Sequence, residues 1–365
     1  MPPFTSARSC ACPKSNNIVA DESPSGAEVR NVRVGTSGWS YPDWEGVFYP
    51  PKKPRGFDEL AYLARYFKCV EVNSSFYRPP APRTTASWLR RTPPEFEFTF
   101  KLHQRFTHQR EQPWTAAEVA EYQAGLAPVR EAGRLGAVLV QFPWSLRADD
   151  AAFRHLEAVK RDFGDLPLVV EVRHVSWAAP QAVRFLKDAG LGFADIDQPA
   201  SRSGLAPMSL VTSPVGYVRL HGRNREAWFK RATQPGDLRG GSPDPPRGKP
   251  APPPLCAAGQ ETRRAELPCG IKREAGRDER YNYLYREEEL KEWIGRIHEI
   301  ARASQKTYVF TNNHYRGQAP ANALQILSLL GGGPVSVPAP LLKEFPVLAS
   351  IASEELPPAG QGELF

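Results

Sequence analysis

The chain has 365 residues, a formal net charge of +7 at pH 7 and a sequence pI of about 9.1. No apolar run approaches the ~20 residues that a membrane span requires, and no N-terminal segment has the apolar stretch of a signal peptide. We therefore expect a cytoplasmic protein in a reducing compartment, without membrane contact. The excess positive charge is compatible with a polyanionic partner such as nucleic acid, but it does not require one.

Three segments lack the composition of a folded core. Residues 1–30 are polar, residues 232–280 contain 9 Pro and 7 Gly and no aromatic residue, and residues 337–365 are again punctuated by proline. We predict a disordered leader, a low-complexity insertion, and a C-terminal segment ending in a flexible tail. The remaining part of 31–336 has 257 residues, close to the ~250 of a typical (β/α)₈ barrel. The five cysteines show no spacing typical of a zinc site or a disulfide framework.

Eight short apolar runs recur along the chain, each rich in β-branched or aromatic residues and each ending in polar residues. The segments between them mostly predict helix. Strands that alternate with helices form a parallel sheet, and eight repeats predict an α/β fold of the TIM-barrel class, with the insertion following strand seven. The runs begin at Val32, Cys69, Phe96, Ala137, Leu168, Gly192, Val215 and Thr307.

Polar side chains gather at the C-terminal ends of these runs, where TIM barrels place their chemistry. Because side chains alternate along a strand, the charged residues of each run share a face, and we predict that this face lines the barrel interior. The alternative to a functional role is a salt-bridge network that only fills the barrel interior, and Glu171 with Arg173 is the pair for which we most expect it. Asp195 and Gln141 are also expected to be structural. The strand-end residues are Glu71, Asn73, Lys101, His103, Gln141, Glu171, Arg173, His174, Asp195, Asp197, Arg219, His221, Asn312, Asn313 and His314.

Helix signals and loop aromatics complete the pattern. Thr115 and Glu118 form a capping box, and an amphipathic helix with one apolar stripe is predicted from Arg286. Six of the eight tryptophans fall in predicted strand-to-helix loops. Any one of them could simply plug the barrel rim, but together they predict a surface that stacks on sugars or bases, with Trp39, Tyr77 and Trp177 as candidate contacts.

Several segments resemble, in sequence order, the domain of unknown function 72 family, also called YecE-like. They include VGTSGWSYPDWEGVFYP, VEVNSSFYRPP, FTFKLHQRFTH, LVQFP, EVRHVSW, YVRLHGRN, RYNYLY and FTNNHYRGQAPANA, between about Val32 and Leu330. The resemblance implies a TIM barrel without an established activity, and the insertion between Trp228 and Tyr281 departs from the family's pattern. Without assigning roles, it singles out Glu71, Asn73, Lys101, His108, Gln141, Glu171, Arg173, His174, Asp197, Arg219, His221, Asn313 and His314.

The leading functional hypothesis is a hydrolase or lyase acting on a phosphorylated or polyhydroxylated substrate. In one version, carboxylates and histidines at the strand ends bind a divalent metal that activates water. In the other, Lys101, Arg173 and Arg219 bind the substrate's anion without a metal. There, Glu71 or Glu171 would act as general base and His221 or His108 as general acid. Glycoside cleavage by two carboxylates is a third possibility.

A non-catalytic module that binds anions or nucleic acid is the alternative from another class. The chain ends in Gln361-Gly362-Glu363-Leu364-Phe365, which resembles peptides that dock on the bacterial sliding clamp. In that interpretation Gln361, Leu364 and Phe365 contact the clamp, and the preceding LPPAG run acts as a tether. A chance match, or a hydrophobic tail that folds back on the barrel, would explain the same residues.

Overall fold

The computed structural model describes residues 31–229 and 278–353. The predicted leader, nearly all of the insertion and the C-terminal tail from residue 354 onward lie outside the described residues. The predictions made for those segments, including the clamp peptide, therefore stay predictions. Within the described parts, no helix is long and apolar enough to cross a membrane.

The predicted barrel is confirmed. Eight parallel strands close into a barrel in sequence order, and β8 pairs with β1 through contacts such as Val34 with Val309. All eight apolar runs form strands because each is short, rich in β-branched or aromatic residues and buried on both faces. The strands are β1 (Val32–Ser37), β2 (Cys69–Val72), β3 (Glu97–Lys101), β4 (Leu135–Gln141), β5 (Leu168–Glu171), β6 (Gly192–Asp197), β7 (Val215–Leu220) and β8 (Lys306–Thr311).

Helices pack around the barrel, and the predicted helix signals are confirmed. Thr115 caps its helix and forms the capping box with Glu118, while Leu290, Trp293 and Ile297 bury the stripe of the helix after Arg286. The helices are α1 (Glu59–Leu63), α2 (Pro82–Arg90), α3 (Gln104–Thr107), α4 (Ala116–Glu131), α5 (Asp150–Phe163), α6 (Pro180–Asp188), α7 (Arg225–Phe229), α8 (Glu287–Ala303), α9 (Gln318–Gly331) and α10 (Ala339–Glu344).

One connection departs from the alternation of strand and helix. Residues 198–214, between β6 and β7, contain no helix. Met208, Leu210 and Val211 of this loop are partly buried and pack against the hydrophobic core. A loop therefore covers part of the outer side of β6, and its backbone N–H groups need hydrogen-bond acceptors that a helix would supply internally.

The barrel interior contains an apolar cluster and, nearer the C-terminal strand ends, a group of charged side chains. The apolar cluster includes Cys69, Leu139, Val169, Ile196 and Phe310, and it is separate from the core beneath the helices. Closer to the C-terminal ends of the strands, the inward positions become charged, as at Glu71, Glu171 and Arg219. These charged side chains, together with Lys101 and Arg173, are called the charged layer, and they are almost fully buried.

Part of the C-terminal segment packs on the barrel. After the short strand β9 (Val335–Ser336), α10 and a second short strand, β10 (Ala352–Ser353), return the chain so that β10 pairs with β9. Val337, Leu341 and Leu348 are buried. Residues 337–353 are therefore part of the folded structure, beyond the predicted barrel end at residue 336.

Candidate functional site

Arg219 lies at the centre of the charged layer. Its Nε and Nη2 atoms donate to Oε2 and Oε1 of Glu71 at 2.9 and 2.6 Å, and its Nη1 donates to Oε2 of Glu171. Burial alone would lower the pKa of Arg219, but the carboxylates of Glu171 and Glu71 raise it instead. One guanidinium thus joins carboxylates from β2 and β5 across the barrel.

A second guanidinium completes the pairing of Glu171. The Nη2 and Nε atoms of Arg173 donate to Oε1 of Glu171 at 2.7 and 3.1 Å. Burial acts to raise the pKa of Glu171, but Arg219 and Arg173 hold it well below its usual range. The predicted pair of Glu171 and Arg173 is therefore present, as part of a larger network.

His221 follows β7 and faces the same network. Its Nε2 lies 3.5 Å from Oε1 of Glu171 and 3.4 Å from Nη1 of Arg219, and its Nδ1 lies 2.9 Å from Nδ2 of Asn312. Burial lowers the pKa of His221 to about 4, although Glu171 acts in the opposite direction. The imidazole is therefore neutral near pH 7, and with Asn312 in this orientation its proton is on Nε2.

Lys101 enters the charged layer from β3 without a carboxylate partner. Its Nζ lies 4.5 Å from the centroid of the Phe76 ring, and the residue is 6% exposed. Burial, followed by the charge of Arg219, lowers the pKa of Lys101 to about 8. Among the described residues, no hydrogen bond or ion pair links this ammonium to an acceptor.

The charged layer has more positive than negative groups. Arg173, Arg219 and Lys101 oppose only Glu71 and Glu171. The Nη1 atom of Arg173 is buried and has no hydrogen-bond partner among the described residues, and the same is true of Nε2 of Gln141 on the neighbouring strand β4. Leaving buried donors without acceptors costs free energy, so the side of the charged layer that holds Arg173 and Gln141 favours the binding of an anion or another acceptor.

The prediction that Asp195 and Asp197 line the barrel interior is wrong. On β6 the inward residues are Ala194 and Ile196, so both aspartates face outward. Asp195 accepts the backbone N–H groups of Met208 and Ser209 in the helix-free loop. That role supports the expectation that Asp195 is structural.

Asp197 belongs to a separate ion network outside the barrel interior. Its carboxylate accepts from Nε of Arg223 at 2.8 Å, and Nη1 of Arg223 donates to Glu289 at 3.1 Å. Burial raises the pKa of Asp197, with Arg223 opposing the shift. Asp197 lies on the outer face of β6, where it pairs with Arg223. It therefore does not come together with Glu71 and Glu171 inside the barrel.

The residues that follow β8 mainly contact the loops at the C-terminal face of the barrel. Asn313 donates from Nδ2 to the carbonyl of Tyr283 at 2.8 Å and to Oδ1 of Asn322 at 2.7 Å. The His314 ring stacks on Tyr41 at a centroid distance of 4.6 Å and packs at a tilt against Tyr281 at 4.8 Å. Both residues lie at the C-terminal face, where these contacts hold loops and rings in place.

The predicted residues Asn73 and His108 follow β2 and β3 at the C-terminal ends of the strands. Asn73 is half-buried and precedes the turn Ser74–Phe76. Nδ1 of His108 lies within hydrogen-bond distance of the Thr107 hydroxyl oxygen, at 2.8 Å. The His108 ring packs edge-on against Phe76, whose ring also contacts Lys101. Of these residues, His108 is the one that shares a neighbour with the charged layer.

His174 caps a short turn rather than joining the charged layer. Its Nδ1 accepts the N–H of Ser176 at 3.2 Å, and burial lowers its pKa. The neighbouring Arg173 side chain, in contrast, turns inward to Glu171. Adjacent residues after β5 therefore have different environments.

Of the three aromatic residues predicted to stack on a ligand, the structure contradicts one, Trp177. Trp177 is fully buried and donates from Nε1 to the carbonyl of Leu146, so it is a core residue. Trp39 is half-buried and packs edge-on against Trp88 at 5.3 Å. Tyr77 alone of the three candidates is exposed, at 52%.

Three aromatic residues near the charged layer were not among the predicted site residues, although Trp228 was one of the six loop tryptophans. Tyr217 donates its hydroxyl to Oε2 of Glu71 at 2.7 Å. Trp228 lies 5.6 Å from the guanidinium of Arg173, and Tyr281 is buried beside the charges of Arg173 and Arg219. Tyr217 shares the strand parity of Arg219, and that parity was a signal that could have identified it.

The side chains of the charged layer do not suit a metal. Among the described residues, no group of three or more His, Cys, Asp or Glu side chains is placed to hold a metal ion. Glu71 and Glu171 already accept from Arg219, and the aspartates of β6 face away. The geometry therefore does not fit the metal version of the predicted chemistry.

The fold and this site define a TIM-barrel protein with a buried, net positive layer at the C-terminal ends of its strands. A model of the family described as "Protein of unknown function DUF72" matches residues 33–344. The chain belongs to the DUF72 family, as its resemblance predicted.

Relatives and solved structures agree with this assignment. The chain is 28% identical over 309 residues to the UPF0759 protein YunF of Bacillus subtilis, covering 82% of this chain and 94% of that protein. It is similar to the crystal structure of a DUF72 family protein from Thermotoga maritima, with 32% identity, a TM-score of 0.63, and coverage of 82% and 99%. A DUF72 structure from Enterococcus faecalis at 22% identity shares the fold, with a TM-score of 0.63 and coverage of 82% and 95%.

Proposed function

We propose that the charged layer binds the anionic group of a phosphorylated or polyhydroxylated substrate and catalyses a metal-free hydrolysis or elimination. The observation that carries this proposal is the buried Nη1 of Arg173, which has no hydrogen-bond partner among the described residues. The charge of Lys101 lies close enough to Arg173 for the guanidinium to help lower the lysine pKa. Guanidinium groups bind phosphate and carboxylate oxygens through strong, directed hydrogen bonds. Gln141 adds an amide donor on the same side.

The roles that we assign to Glu71, Glu171 and His221 differ from those predicted from the sequence. Glu71 and Glu171 accept from Arg219, so they hold the guanidinium and are poorly suited to remove a proton from substrate. His221 is neutral and lies beside Glu171, which stabilises the imidazolium form. We therefore assign proton transfer to His221 and the positioning of the cationic groups to the two glutamates.

The same geometry argues against glycoside cleavage by a carboxylate pair. That chemistry needs one carboxyl group to protonate the leaving oxygen and the other to act as base or nucleophile. Here Glu71 and Glu171 share one guanidinium, and Glu171 has a lowered pKa. Glu171 is therefore unsuited to act as the acid, and Glu71 already accepts two hydrogen bonds from Arg219.

Anion binding is tested by titrating the purified protein with inorganic phosphate in a calorimeter. We expect saturable binding that Arg173→Gln weakens about tenfold or more, because a charge-assisted hydrogen bond is removed. Arg223→Gln is the matched control, since Arg223 also pairs with a carboxylate but lies outside the barrel interior. Lys101→Met tests the same site if Arg173→Gln does not fold. Equal binding by wild type and both site variants would contradict the proposal.

Catalysis is tested separately with a panel of p-nitrophenyl phosphate and sugar phosphates. We expect turnover that His221→Gln removes while phosphate binding persists, because this change leaves Arg173 and Lys101 in place. Phosphate binding without turnover on any member of the panel would instead favour a non-catalytic anion-binding module. The full pairing of Glu71 and Glu171 is the observation that favours that second function.

A sliding-clamp partner, and with it a nucleic-acid substrate, remains a proposal from the sequence. Its residues Gln361, Leu364 and Phe365 lie outside the described part of the chain. A labelled peptide of the last ten residues, titrated against purified bacterial sliding clamp, should bind saturably and lose binding on Phe365→Ala. No saturable binding, or binding that is insensitive to Phe365→Ala, would remove the clamp proposal.

A further inference from the structure

The amine of Lys101 is held in an unusual environment for a lysine. The residue is 6% exposed, yet no carboxylate among the described residues forms an ion pair with it. Its Nζ faces the Phe76 ring at 4.5 Å instead. A lysine withdrawn from water, near other cations and without a salt bridge, has the environment that favours an amine nucleophile.

The backbone of Lys101 is anchored so that the side chain emerges at a defined point. Its carbonyl oxygen accepts from Oγ of Ser75 at 2.8 Å and from the hydroxyl of Tyr122 at 3.0 Å. Both hydroxyl-bearing residues are buried. Two buried donors on one carbonyl, at the last residue of β3, fix the base of the side chain on a rigid strand.

The charges around Lys101 maintain a reactive fraction of the amine. Burial and Arg219 lower its pKa to about 8, while Glu71 and Glu171 oppose them. At that pKa, about a tenth of the lysine is neutral at pH 7, compared with well under a hundredth for an ordinary lysine. Arg173 is close enough to contribute to the lowering and has an unpartnered Nη1.

We propose that Lys101 forms a covalent imine with an aldehyde or ketone substrate whose anionic group binds Arg173. This inference rests on the proposed function and names its substrate class: a carbonyl compound that carries a phosphate or carboxylate. The neutral amine adds to the carbonyl carbon, and the carbinolamine then loses the carbonyl oxygen with both amine hydrogens as one water. The imine takes up a solvent proton to become the iminium, so no oxidant or reductant is consumed.

Borohydride trapping followed by peptide mass spectrometry tests this step. The full-length protein is incubated with glycolaldehyde phosphate or with glycolaldehyde, and sodium borohydride reduces any imine to a stable secondary amine. We expect the reduced adduct on Lys101, formed about tenfold faster with the phosphorylated probe, because Arg173 binds the phosphate. The rate should rise with pH as the lysine loses its proton, with an apparent pKa near 8.

Variants separate this reaction from general lysine modification. Lys101→Met should remove the site-specific adduct, and Arg173→Gln should remove the preference for the phosphorylated probe. Lys291→Met is the matched control, since Lys291 is 60% exposed on α8 and pairs with Glu287. If adducts form only on exposed lysines while inorganic phosphate still binds, the imine is overturned and the proposed anion site stands. Equal rates with both probes would overturn the link between Lys101 and Arg173, and loss of both phosphate binding and the adduct would overturn both proposals.

Discussion

Strands β6 and β7 are neighbours with the same pattern of charges but opposite orientations. Asp195 and Asp197 alternate with apolar residues on β6, as Arg219 and His221 do on β7 and its extension. In the register between them, Ile196 pairs with Arg219 and Asp197 with Leu220. The charges of β7 point into the barrel, whereas those of β6 point out.

The difference follows from what covers each strand. The outer face of β7 contacts α8, an amphipathic helix whose apolar stripe is buried. The outer face of β6 meets the loop 198–214, whose N–H groups of Met208 and Ser209 bond to Asp195. A charged residue can therefore be buried on either side of a barrel strand, provided that each side offers it partners.

The largest expected effect comes from removing the partner shared by Glu71 and Glu171. Arg219→Met leaves these carboxylates buried without their main cation, so we expect a loss of roughly 3–5 kcal/mol in the free energy of unfolding. Urea denaturation at pH 7 measures it. On β6, Asp195→Asn keeps an acceptor for the loop N–H groups and should cost under about 1 kcal/mol. Equal losses on the two strands would contradict the assigned orientations.

The pH dependence of stability should have opposite signs on the two strands. Burial lowers the pKa of His221 to about 4 in the folded protein, compared with 6.5 in the unfolded chain. Its contribution to the free energy of unfolding is therefore fully present above pH 6.5 and is lost as pH falls through 4. Burial raises the pKa of Asp195 to about 6 in the folded protein, compared with 3.8 in the unfolded chain. Its contribution to the free energy of unfolding is therefore fully present below pH 3.8 and is lost as pH rises through 6. Each contribution is about 3 kcal/mol.

Urea denaturation between pH 4 and pH 6.5 measures both contributions. His221→Gln should make the stability of the protein rise less steeply with pH in this window. Asp195→Asn should make it rise more steeply, because the opposing titration is removed. Two variants that change the slope in the same direction would show that one of the two groups has a different environment.

A smaller effect is expected from the ion network outside β6. Arg223→Gln removes the guanidinium between Asp197 and Glu289, and we expect a loss of about 1–3 kcal/mol in unfolding free energy. Phosphate binding measured by calorimetry should change by less than about twofold, because Arg223 does not contact the charged layer. A loss of phosphate binding as large as that of Arg173→Gln would place Asp197 and Arg223 in the site after all.

The smallest effect concerns the insertion, which follows β7 and has no counterpart after β6. The described residues on either side of residues 230–277 are in contact: Nδ2 of Asn224 donates to the carbonyl of Glu279, and Nε1 of Trp228 donates to that of Arg280. Deleting residues 235–276 should shift the melting temperature by less than about 2 °C, equivalent to under ~1 kcal/mol. Thermal denaturation measures this shift, and a loss of many degrees would show that the insertion stabilises the barrel.

The sequence alone determined the barrel and the location of its candidate site. Strand identity depends on short-range features, namely β-branched runs and the polar residues that end them, and these are visible without any partner. Because parallel strands of a barrel all end at one face, Glu71, Lys101, Glu171 and Arg219 could be brought together from their positions in the runs. The capping box at Thr115 is equally local, so it too was predictable.

Only the tertiary structure decided which buried groups meet. The outward turn of Asp195 and Asp197 depends on a helix-free loop and on Arg223, neither of which is encoded in the alternation of β6. The burial of Trp177 depends on what packs against its loop, and the pairing of Arg219 with both Glu71 and Glu171 depends on which strands face each other across the barrel. Alternation specifies two faces for a strand, but the energy of burying a charge depends on its partners, which come from distant parts of the chain.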